Sequence, residues 1–277
     1  RLEGPYISKA RAGAQNAAYI RKPDAKEITD IIERSSPVLK LMTIAPELKE
    51  AKPLIKLLRK HKIIVSIGHS DATYESAIAG IDAGITHATH TFNAMSGIDP
   101  STSLRVNGER SRTIDRREPG VVGAVLMDDR VAAEVILDLI HVHGALFGLL
   151  LKLKKRDKVI VVTDSLTALD CLPAGQAGFG PSGLAMTGGA YRFSDGRLAG
   201  SSLTMIGALK NVVKSANLSL QEALSVITLN PAKLLGIEGK KGSIAAGRDA
   251  DVVIFDKEFD VKMTMIRGRI AYRKHGF

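Results

Sequence analysis

The sequence contains very few aromatic residues and lacks tryptophan. Phe, Trp and Tyr together make up 4% of its 277 residues, which argues against a lectin-like groove in which sugar rings stack on aromatic faces. Hydrophobic residues nevertheless reach 45%, so the chain can bury a large core. That core must be built from Ile, Val, Leu and Ala, which is typical of buried parallel sheets.

Cysteine and long apolar runs are equally scarce. The lone Cys171 excludes an internal disulfide and fits a reducing cytoplasm. No apolar run reaches the roughly 18 residues that a membrane span requires, and no signal segment is present. Because the chain begins with Arg1 instead of Met, we expect a cytoplasmic protein whose beginning is missing, with no membrane contact.

The net charge of +10 raises the question of nucleic-acid binding. The basic residues are scattered, however, and lie at the ends of apolar segments, where solvated helix termini explain them. We therefore expect no nucleic-acid partner and a general preference for anionic substrates.

Short apolar runs alternate with helical patterns, which predicts a parallel α/β sheet, open or closed. Ser219 and Glu222 have the spacing of a capping box at the start of one helix. The predicted buried strands are Ile63–Ile67, Val121–Leu126 and Val159–Val162. The predicted helices are Asp24–Arg34, Glu47–Lys60, His143–Leu153 and Leu203–Ser215.

The end of the chain changes to short strands separated by glycine and charged turns. This change predicts a boundary near Leu235, between an α/β domain over residues 1–235, the domain that the resemblance described below implies to be a barrel, and part of a small β-sandwich over residues 236–277. The predicted strands there include Gly242–Ile244, Ala250–Phe255 and Ile270–Tyr272. Two further stretches, Ser96–Arg116 and Leu172–Gly189, are interpreted as long loops, as insertions or active-site lids.

Polar residues follow the ends of several apolar runs. Because strand C-termini share one face of a parallel barrel, these residues are expected to converge there. They are Glu3, His69, His87, His90, His141 and Asp164.

Two histidines and a glutamate suit a divalent cation with an open coordination position. Spacing alone does not decide between His87 and His90 as a ligand. Asp164 is the candidate proton acceptor for an attacking water. Asp71 and Asp138 are interpreted as structural, with Asp71 capping a helix that starts at Ala72.

At these residues the chain resembles the N-acetylglucosamine-6-phosphate deacetylase family of amidohydrolases. The resemblance runs nearly from end to end and rests on several long, specific segments. They include Leu2-Glu3-Gly4-Pro5-Tyr6-Ile7, Gly68-His69-Ser70-Asp71-Ala72-Thr73, His87-Ala88-Thr89-His90-Thr91-Phe92-Asn93-Ala94-Met95, Val162-Thr163-Asp164 and Leu198-Ala199-Gly200-Ser201-Ser202.

The resemblance implies a TIM-like barrel that lacks its first strands, a small β-sandwich, and hydrolysis of N-acetylglucosamine 6-phosphate to glucosamine 6-phosphate and acetate. It implies a homodimer and one divalent ion, with Zn²⁺ expected first and Fe²⁺ or Co²⁺ as alternatives. The implied ligands are Glu3, His69 and His90, and Asp164 is the implied general base and acid. The implied substrate contacts are Ala14, Gln15, Asn93, Ala94, Arg117, His141, Leu198, Ala199 and Gly200.

The sequence departs from the family pattern in several places. Arg1 and Gln15 stand where histidine is common, and Leu139 stands where glycine is usual before the strand-end His141. A long segment separates Met95 from Arg117, where the family has a short link. The position of Arg117 relative to the site therefore does not follow from the resemblance. A barrel without its first strands leaves unpaired sheet edges, so we expect this stretch alone to be poorly stable or inactive.

Two other functions remain open. Another amidohydrolase acting on a cyclic amide is the nearest enzyme alternative, although such enzymes typically use a carboxylated lysine where this chain has Glu3. A degenerate barrel that binds a sugar phosphate without catalysis is the second. Measuring which substrates the protein hydrolyses would separate the first hypothesis from the deacetylase, and measuring its metal content would separate the second.

Overall fold

The computed structural model describes residues 1–98, 105–106, 109–110, 117–166 and 183–277. The first eight strands are β1 (Leu2–Glu3), β2 (Leu41–Ile44), β3 (Ile64–Ile67), β4 (His87–Ala88), the short pair β5 (Arg105–Val106) and β6 (Glu109–Arg110), β7 (Ala132–Ile136) and β8 (Val159–Val162). Six of them form a parallel sheet in the order β1-β2-β3-β4-β7-β8. This confirms the predicted parallel α/β architecture.

Helices follow the strands and cover the sheet. Several begin at a side-chain cap: Asp24 accepts from the N–H of Glu27, and Ser219 with Glu222 forms the predicted capping box. The helices are α1 (Ala25–Ser35), α2 (Ala51–Lys60), α3 (Tyr74–Ala83), α4 (Gly120–Met127), α5 (Gly144–Leu153), α6 (Met205–Ala216), α7 (Leu220–Ile227) and α8 (Leu229–Leu234).

Two local predictions were wrong. The apolar run Val121–Leu126 is not a strand but most of helix α4, because a short buried helix that is apolar on every side has no period that separates it from a strand. Helix α3 is capped by Thr73, whose hydroxyl accepts from the N–H of Ser76, and not by Asp71. Asp71 instead pairs with Arg11 at 2.8 Å.

The core lies between the sheet and its helices. All residues of β2 and β7 are buried, as expected for strands that are covered on both faces. Polar side chains also lie within this sheet, where Thr43, Ser66 and Thr89 bond to one another through their hydroxyls at 2.6 and 2.9 Å. The sheet interior therefore carries a hydrogen-bonded polar layer directly beneath the ends of the strands.

The remaining strands are antiparallel. They form β9 (Leu184–Thr187), β10 (Ala190–Phe193) and β11 (Leu198–Ser201) in one sheet, and β12 (Val252–Phe255), β13 (Val261–Ile266) and β14 (Arg269–Arg273) in another. The C-terminal sheet agrees with two of the predicted strands, whereas Gly242–Ile244 is irregular. The domain boundary near Leu235 stays a prediction.

The two predicted long loops fall largely outside the described residues. Where they are described, they contain strand: β5 and β6 in the first, and β9 in the second. In the part of the chain that the structure describes, no helix is long and apolar enough to cross a membrane.

Candidate active site

Three of the polar residues that follow strands share an unusual backbone conformation. His69, His90 and Asp164 each stand two positions after the last residue of β3, β4 or β8, and their φ angles are 47°, 31° and 48°. This left-handed region is uncommon for residues other than glycine, although His and Asp enter it more readily than most. The chain therefore turns sharply at the end of each strand, at one edge of the sheet.

The structure brings Glu3, His69 and His90 together. Oε1 of Glu3 lies 2.9 Å from Nε2 of His69 and 3.4 Å from Nε2 of His90, and the two nitrogens are 3.2 Å apart. Ligands about 2.0–2.1 Å from a tetrahedral ion are roughly 3.3 Å from one another. The three atoms thus have the mutual spacing of ligands around one small cation.

The proton positions on His69 support the same interpretation. Its Nδ1 lies 2.7 Å from the carbonyl oxygen of Arg11, which can only accept, so Nδ1 carries a proton. With Nδ1 as a donor, Nε2 either offers its lone pair to a metal ion or carries a second proton that it donates to Oε1 of Glu3. A backbone carbonyl on the second nitrogen is the usual arrangement of a metal-binding histidine.

The charges of the cluster are coupled. Burial acts to raise the pKa of Glu3, but hydrogen bonds with His69 and His90 outweigh it and hold that pKa well below its usual range. Burial likewise acts to lower the pKa of His90, and the hydrogen bond and charge of Glu3 outweigh it and raise the pKa. Glu3 therefore carries a negative charge in this setting, as a metal-binding carboxylate must.

His87 lies on a different part of the sheet. Its Nδ1 is 2.9 Å from Oγ of Ser66, and its Nε2 is 3.3 Å from Oε1 of Glu134. Burial lowers the pKa of His87, so the ring is neutral. His87 therefore belongs to the polar layer of the sheet and not to the group formed by Glu3, His69 and His90.

Arg1 joins that polar layer to the cluster. Its guanidinium donates to both carboxylate oxygens of Glu134, at 3.0 and 2.8 Å, and to Oε2 of Glu3 at 3.1 Å. The other carboxylate oxygen of Glu3, Oε1, therefore faces the histidines. It also accepts a hydrogen bond from the side-chain amide of Gln15, at 3.2 Å. Sequence reasoning missed Glu134, whose only signal was a carboxylate within an otherwise apolar strand.

Asp164 follows β8, and the residue as a whole is exposed to solvent. Its carbonyl oxygen accepts from the N–H of Ser201, at 2.9 Å, which attaches β11 to the end of β8. Its carboxyl group is nevertheless largely surrounded by protein atoms, and this partial loss of hydration raises its pKa; the charge of His90 opposes the rise, and the charge of Glu3 adds to it. The side chain is therefore electrostatically coupled to the cluster and binds a proton more readily than an ordinary aspartate.

Gly200 lies directly against the backbone of Asp164. A Cβ at this position would be 2.8 Å from Cγ of Leu166 and 3.0 Å from the carbonyl oxygen of Asp164. We expect Gly200→Ala to displace Asp164 and to destabilise the protein by about 1–3 kcal/mol, as overpacking does. Urea denaturation measures the loss. Gly148→Ala is the control, because beyond its own helix no atom of the described residues lies within 4 Å of the added Cβ, and an equal loss in both variants would contradict the prediction.

His141 is held by Asp138 in the segment between β7 and α5. Nδ1 of His141 lies 2.6 Å from Oδ2 of Asp138, and Oδ1 accepts from the N–H groups of Ile140 and His141. Between them, Leu139 has a φ of 67° and is exposed. Leucine thus stands in a conformation that favours glycine, at the position where the family pattern has glycine.

Leu139→Gly is expected to stabilise the protein by about 1 kcal/mol, because it removes the clash of Cβ with the backbone in the left-handed region. The melting temperature and the free energy of unfolding measure the gain. Leu139→Ala is the matched control, since alanine loses the same side chain but keeps Cβ. A gain of equal size in the alanine variant would contradict backbone strain as the cause.

The other predicted substrate contacts differ in what surrounds them in the structure. Ala14 follows Gly13, whose Cβ would be 3.1 Å from Cε1 of His69, and Ala94 accepts at its carbonyl oxygen from the N–H of Ser70. Nδ2 of Asn93 is buried and has no hydrogen-bond partner among the described residues. Leu198, Ala199 and Gly200 belong to β11, beside Asp164.

Among the predicted substrate contacts, the position of Arg117 relative to the cluster is the least defined. It is exposed and stands three residues before α4, and residues 111–116 before it lie outside the described residues. Its role as a phosphate contact stays a prediction.

Comparison with known proteins agrees with this geometry. The model of the amidohydrolase family matches residues 5–271. The chain is 36% identical to N-acetylglucosamine-6-phosphate deacetylase of Lysinibacillus sphaericus, over 97% of this chain and 65% of the relative. It is 33% identical to N-acetylgalactosamine-6-phosphate deacetylase of Escherichia coli O157:H7, over 98% of this chain and 67% of the relative.

A solved structure extends the agreement to three dimensions. The crystal structure of N-acetylglucosamine-6-phosphate deacetylase from Thermotoga maritima superposes with a TM-score of 0.80 at 33% identity, over 99% of this chain and 69% of that one. The chain spans about 65% of the length of the first curated relatives it matches. The chain belongs to the amidohydrolase family.

Proposed function

We propose that the protein hydrolyses the acetamide group of N-acetylglucosamine 6-phosphate, giving glucosamine 6-phosphate and acetate. The observation that carries this proposal is the convergence of Glu3, His69 and His90 on one small volume, with Asp164 electrostatically coupled to them. The names of the relatives supply the substrate class. The formal charge of +10 favours a phosphorylated substrate over a neutral one.

Glu3, His69 and His90 would hold one divalent cation. The spacing of their ligand atoms and the donor role of Nδ1 of His69 fit such an ion. When bound, it would polarise the amide carbonyl and make a water molecule more acidic. Imidazole with carboxylate suits Zn²⁺, our first expectation, and Fe²⁺ or Co²⁺ are alternatives.

Asp164 would move the proton. Its carboxylate would accept a proton from the attacking water as the carbon–oxygen bond forms, and it would return that proton to the nitrogen as the carbon–nitrogen bond breaks. The raised pKa of Asp164 suits both halves of this task, because the protonated acid persists long enough to reach the leaving amine. Its exposed position leaves room for the substrate beside it.

The remaining residues would bind the sugar phosphate. Asn93 has a buried amide nitrogen that can still donate a hydrogen bond, and His141 would contact the acetamide. Ala14, Ala94 and residues Leu198, Ala199 and Gly200 of β11 would line the sugar, and Arg117 would bind the phosphate with its guanidinium fork. Gln15 can donate to a sugar or phosphate oxygen when it is not bonded to Glu3.

Acetate release by the full-length protein tests the proposal. N-acetylglucosamine 6-phosphate and its galactosamine isomer are compared, each with added Zn²⁺, Fe²⁺ or Co²⁺, beside a cyclic ureide. Turnover of the ureide alone would favour the cyclic-amide alternative. Absence of turnover together with an absence of metal binding would favour a sugar-phosphate-binding barrel without catalysis.

Three further expectations remain proposals. We infer a homodimer and a cytoplasmic location, and we retain the division into residues 1–235 and 236–277. Light scattering of the purified protein tests the first, and limited proteolysis near Leu235 tests the third.

A further inference from the structure

Asp138 is in hydrogen-bond contact with two backbone N–H groups and one imidazole in the segment between β7 and α5. Its Oδ1 accepts from the N–H of Ile140 at 2.9 Å and from the N–H of His141 at 2.8 Å. Its Oδ2 lies 2.6 Å from Nδ1 of His141. Both side chains are almost completely buried, with 3% of Asp138 and 6% of His141 exposed.

We propose that Asp138 is a positioning residue that keeps a proton on Nδ1 of His141, so that Nε2 is the atom available to the substrate. The inference rests on the proposed function for its catalytic consequence, but its chemical content concerns only the imidazole. A carboxylate without a proton has no hydrogen to donate, so the bond to Nδ1 requires that Nδ1 be the donor.

The carboxyl group is an anion in this setting. Burial acts to raise the pKa of Asp138, but the hydrogen bonds from the His141 ring and from two backbone N–H groups outweigh burial and lower it. A short hydrogen bond to an anion is charge-assisted and stronger than a neutral one. The imidazole is therefore fixed both in orientation and in tautomer.

His141 also lies within electrostatic reach of the reacting groups. A positive charge on its ring, when the ring is protonated, opposes the rise in the pKa of the Asp164 carboxyl. The atom that His141 presents to the substrate thus matters for the chemistry beside Asp164. A neutral ring with its proton on Nδ1 offers a lone pair at Nε2, whereas the opposite tautomer offers an N–H.

The backbone determines what an asparagine would do at position 138. Its amide oxygen must occupy the place of Oδ1, because an NH₂ group there would face two N–H donors and leave both unsatisfied. The NH₂ group then occupies the place of Oδ2 and donates to Nδ1 of His141. Asp138→Asn should therefore move the proton of the neutral ring from Nδ1 to Nε2.

Nitrogen-15 NMR of the full-length protein with labelled histidine measures this tautomer directly. The signals of the ring are assigned by their loss in His141→Gln. At a pH where the ring is neutral, we expect the proton on Nδ1 in the unaltered protein and on Nε2 in Asp138→Asn. Acetate release should fall in parallel, by about 10–100-fold in kcat/KM, as loss of an orienting partner typically causes.

Asp256→Asn is the matched control. Oδ1 of Asp256 also accepts from two backbone N–H groups, at 2.9 and 3.0 Å, and its Oδ2 lies 2.8 Å from Nζ of Lys262. It has the same arrangement without a histidine, in the turn between β12 and β13. This variant should leave both the tautomer of His141 and the turnover unchanged.

The outcomes separate the two proposals. A proton on Nε2 in the unaltered protein, or an unchanged tautomer in Asp138→Asn, would overturn the role of Asp138 whatever the activity. Absence of acetate release from the unaltered protein, with the expected tautomers, would reject only the proposed function. If Asp138→Asn does not fold, Asp138→Ser takes its place, because serine can accept from the backbone but cannot hold Nδ1; retention of the proton on Nδ1 in that variant would also overturn the proposal.

Discussion

Asp164→Asn is expected to lower kcat for acetate release by about 10²–10⁴-fold, the usual contribution of a general base. Asparagine has nearly the same shape but cannot accept the proton of the attacking water. It also tolerates the left-handed backbone at this position, and the carbonyl oxygen still accepts from the N–H of Ser201. The melting temperature should therefore stay within a few degrees while turnover is almost lost.

Asp157→Asn controls for the change in net charge. Asp157 is exposed and lies in the short turn before β8, so the loss of its charge should leave kcat unaltered. Steady-state kinetics at saturating substrate and metal compare the three proteins. Turnover of Asp164→Asn within a factor of two of the unaltered protein would exclude Asp164 as the group that moves the proton.

His90→Asn is expected to weaken cation binding by at least about 100-fold, because the short amide cannot reach the position of Nε2 and leaves only Glu3 and His69. The unaltered protein should gain about 2.7 kcal/mol of stability when the free metal is at 100 times its Kd. The variant should gain almost nothing at that concentration. Competition with a coloured chelator gives the affinity, and thermal unfolding with and without Zn²⁺ gives the gain.

His61→Asn is the corresponding control. His61 is exposed at the C-terminal end of α2 and follows no strand. Metal affinity and the metal-dependent gain in stability should both survive this change. Equal losses of metal binding in the two variants would indicate general imidazole binding instead of a defined centre.

Much of the site was predictable because the strands of a parallel sheet all end at the same face. The polar residues that follow β3, β4 and β8 were therefore expected to lie close together. The apolar sequence of β8 and the capping box of α7 were local signals, and both were sufficient. The local sequence could not decide whether His87 or His90 is the metal ligand, because the answer depends on which way the chain turns after Ala88.

Other features could not be predicted from the sequence, because they depend on contacts between residues far apart in the chain or on the conformation of a loop. Glu134 within β7 is tolerated because Arg1, 133 positions away, neutralises its carboxylate. Asp138 was interpreted as structural, because the spacing of Asp138 and His141 does not determine that the two side chains face each other. The run Val121–Leu126 could not be assigned by pattern, since buried helices and buried strands are both continuously apolar.

The left-handed backbone at His69, His90 and Asp164 restricts how this centre can be studied or altered. Any exchange for a β-branched residue would change chain conformation as well as chemistry, so a loss of function would have two causes. Asparagine and glycine are compatible with such angles and separate the two effects. Libraries that vary these positions should accordingly be restricted to small or amide side chains, and new ligands should be introduced elsewhere along the rim.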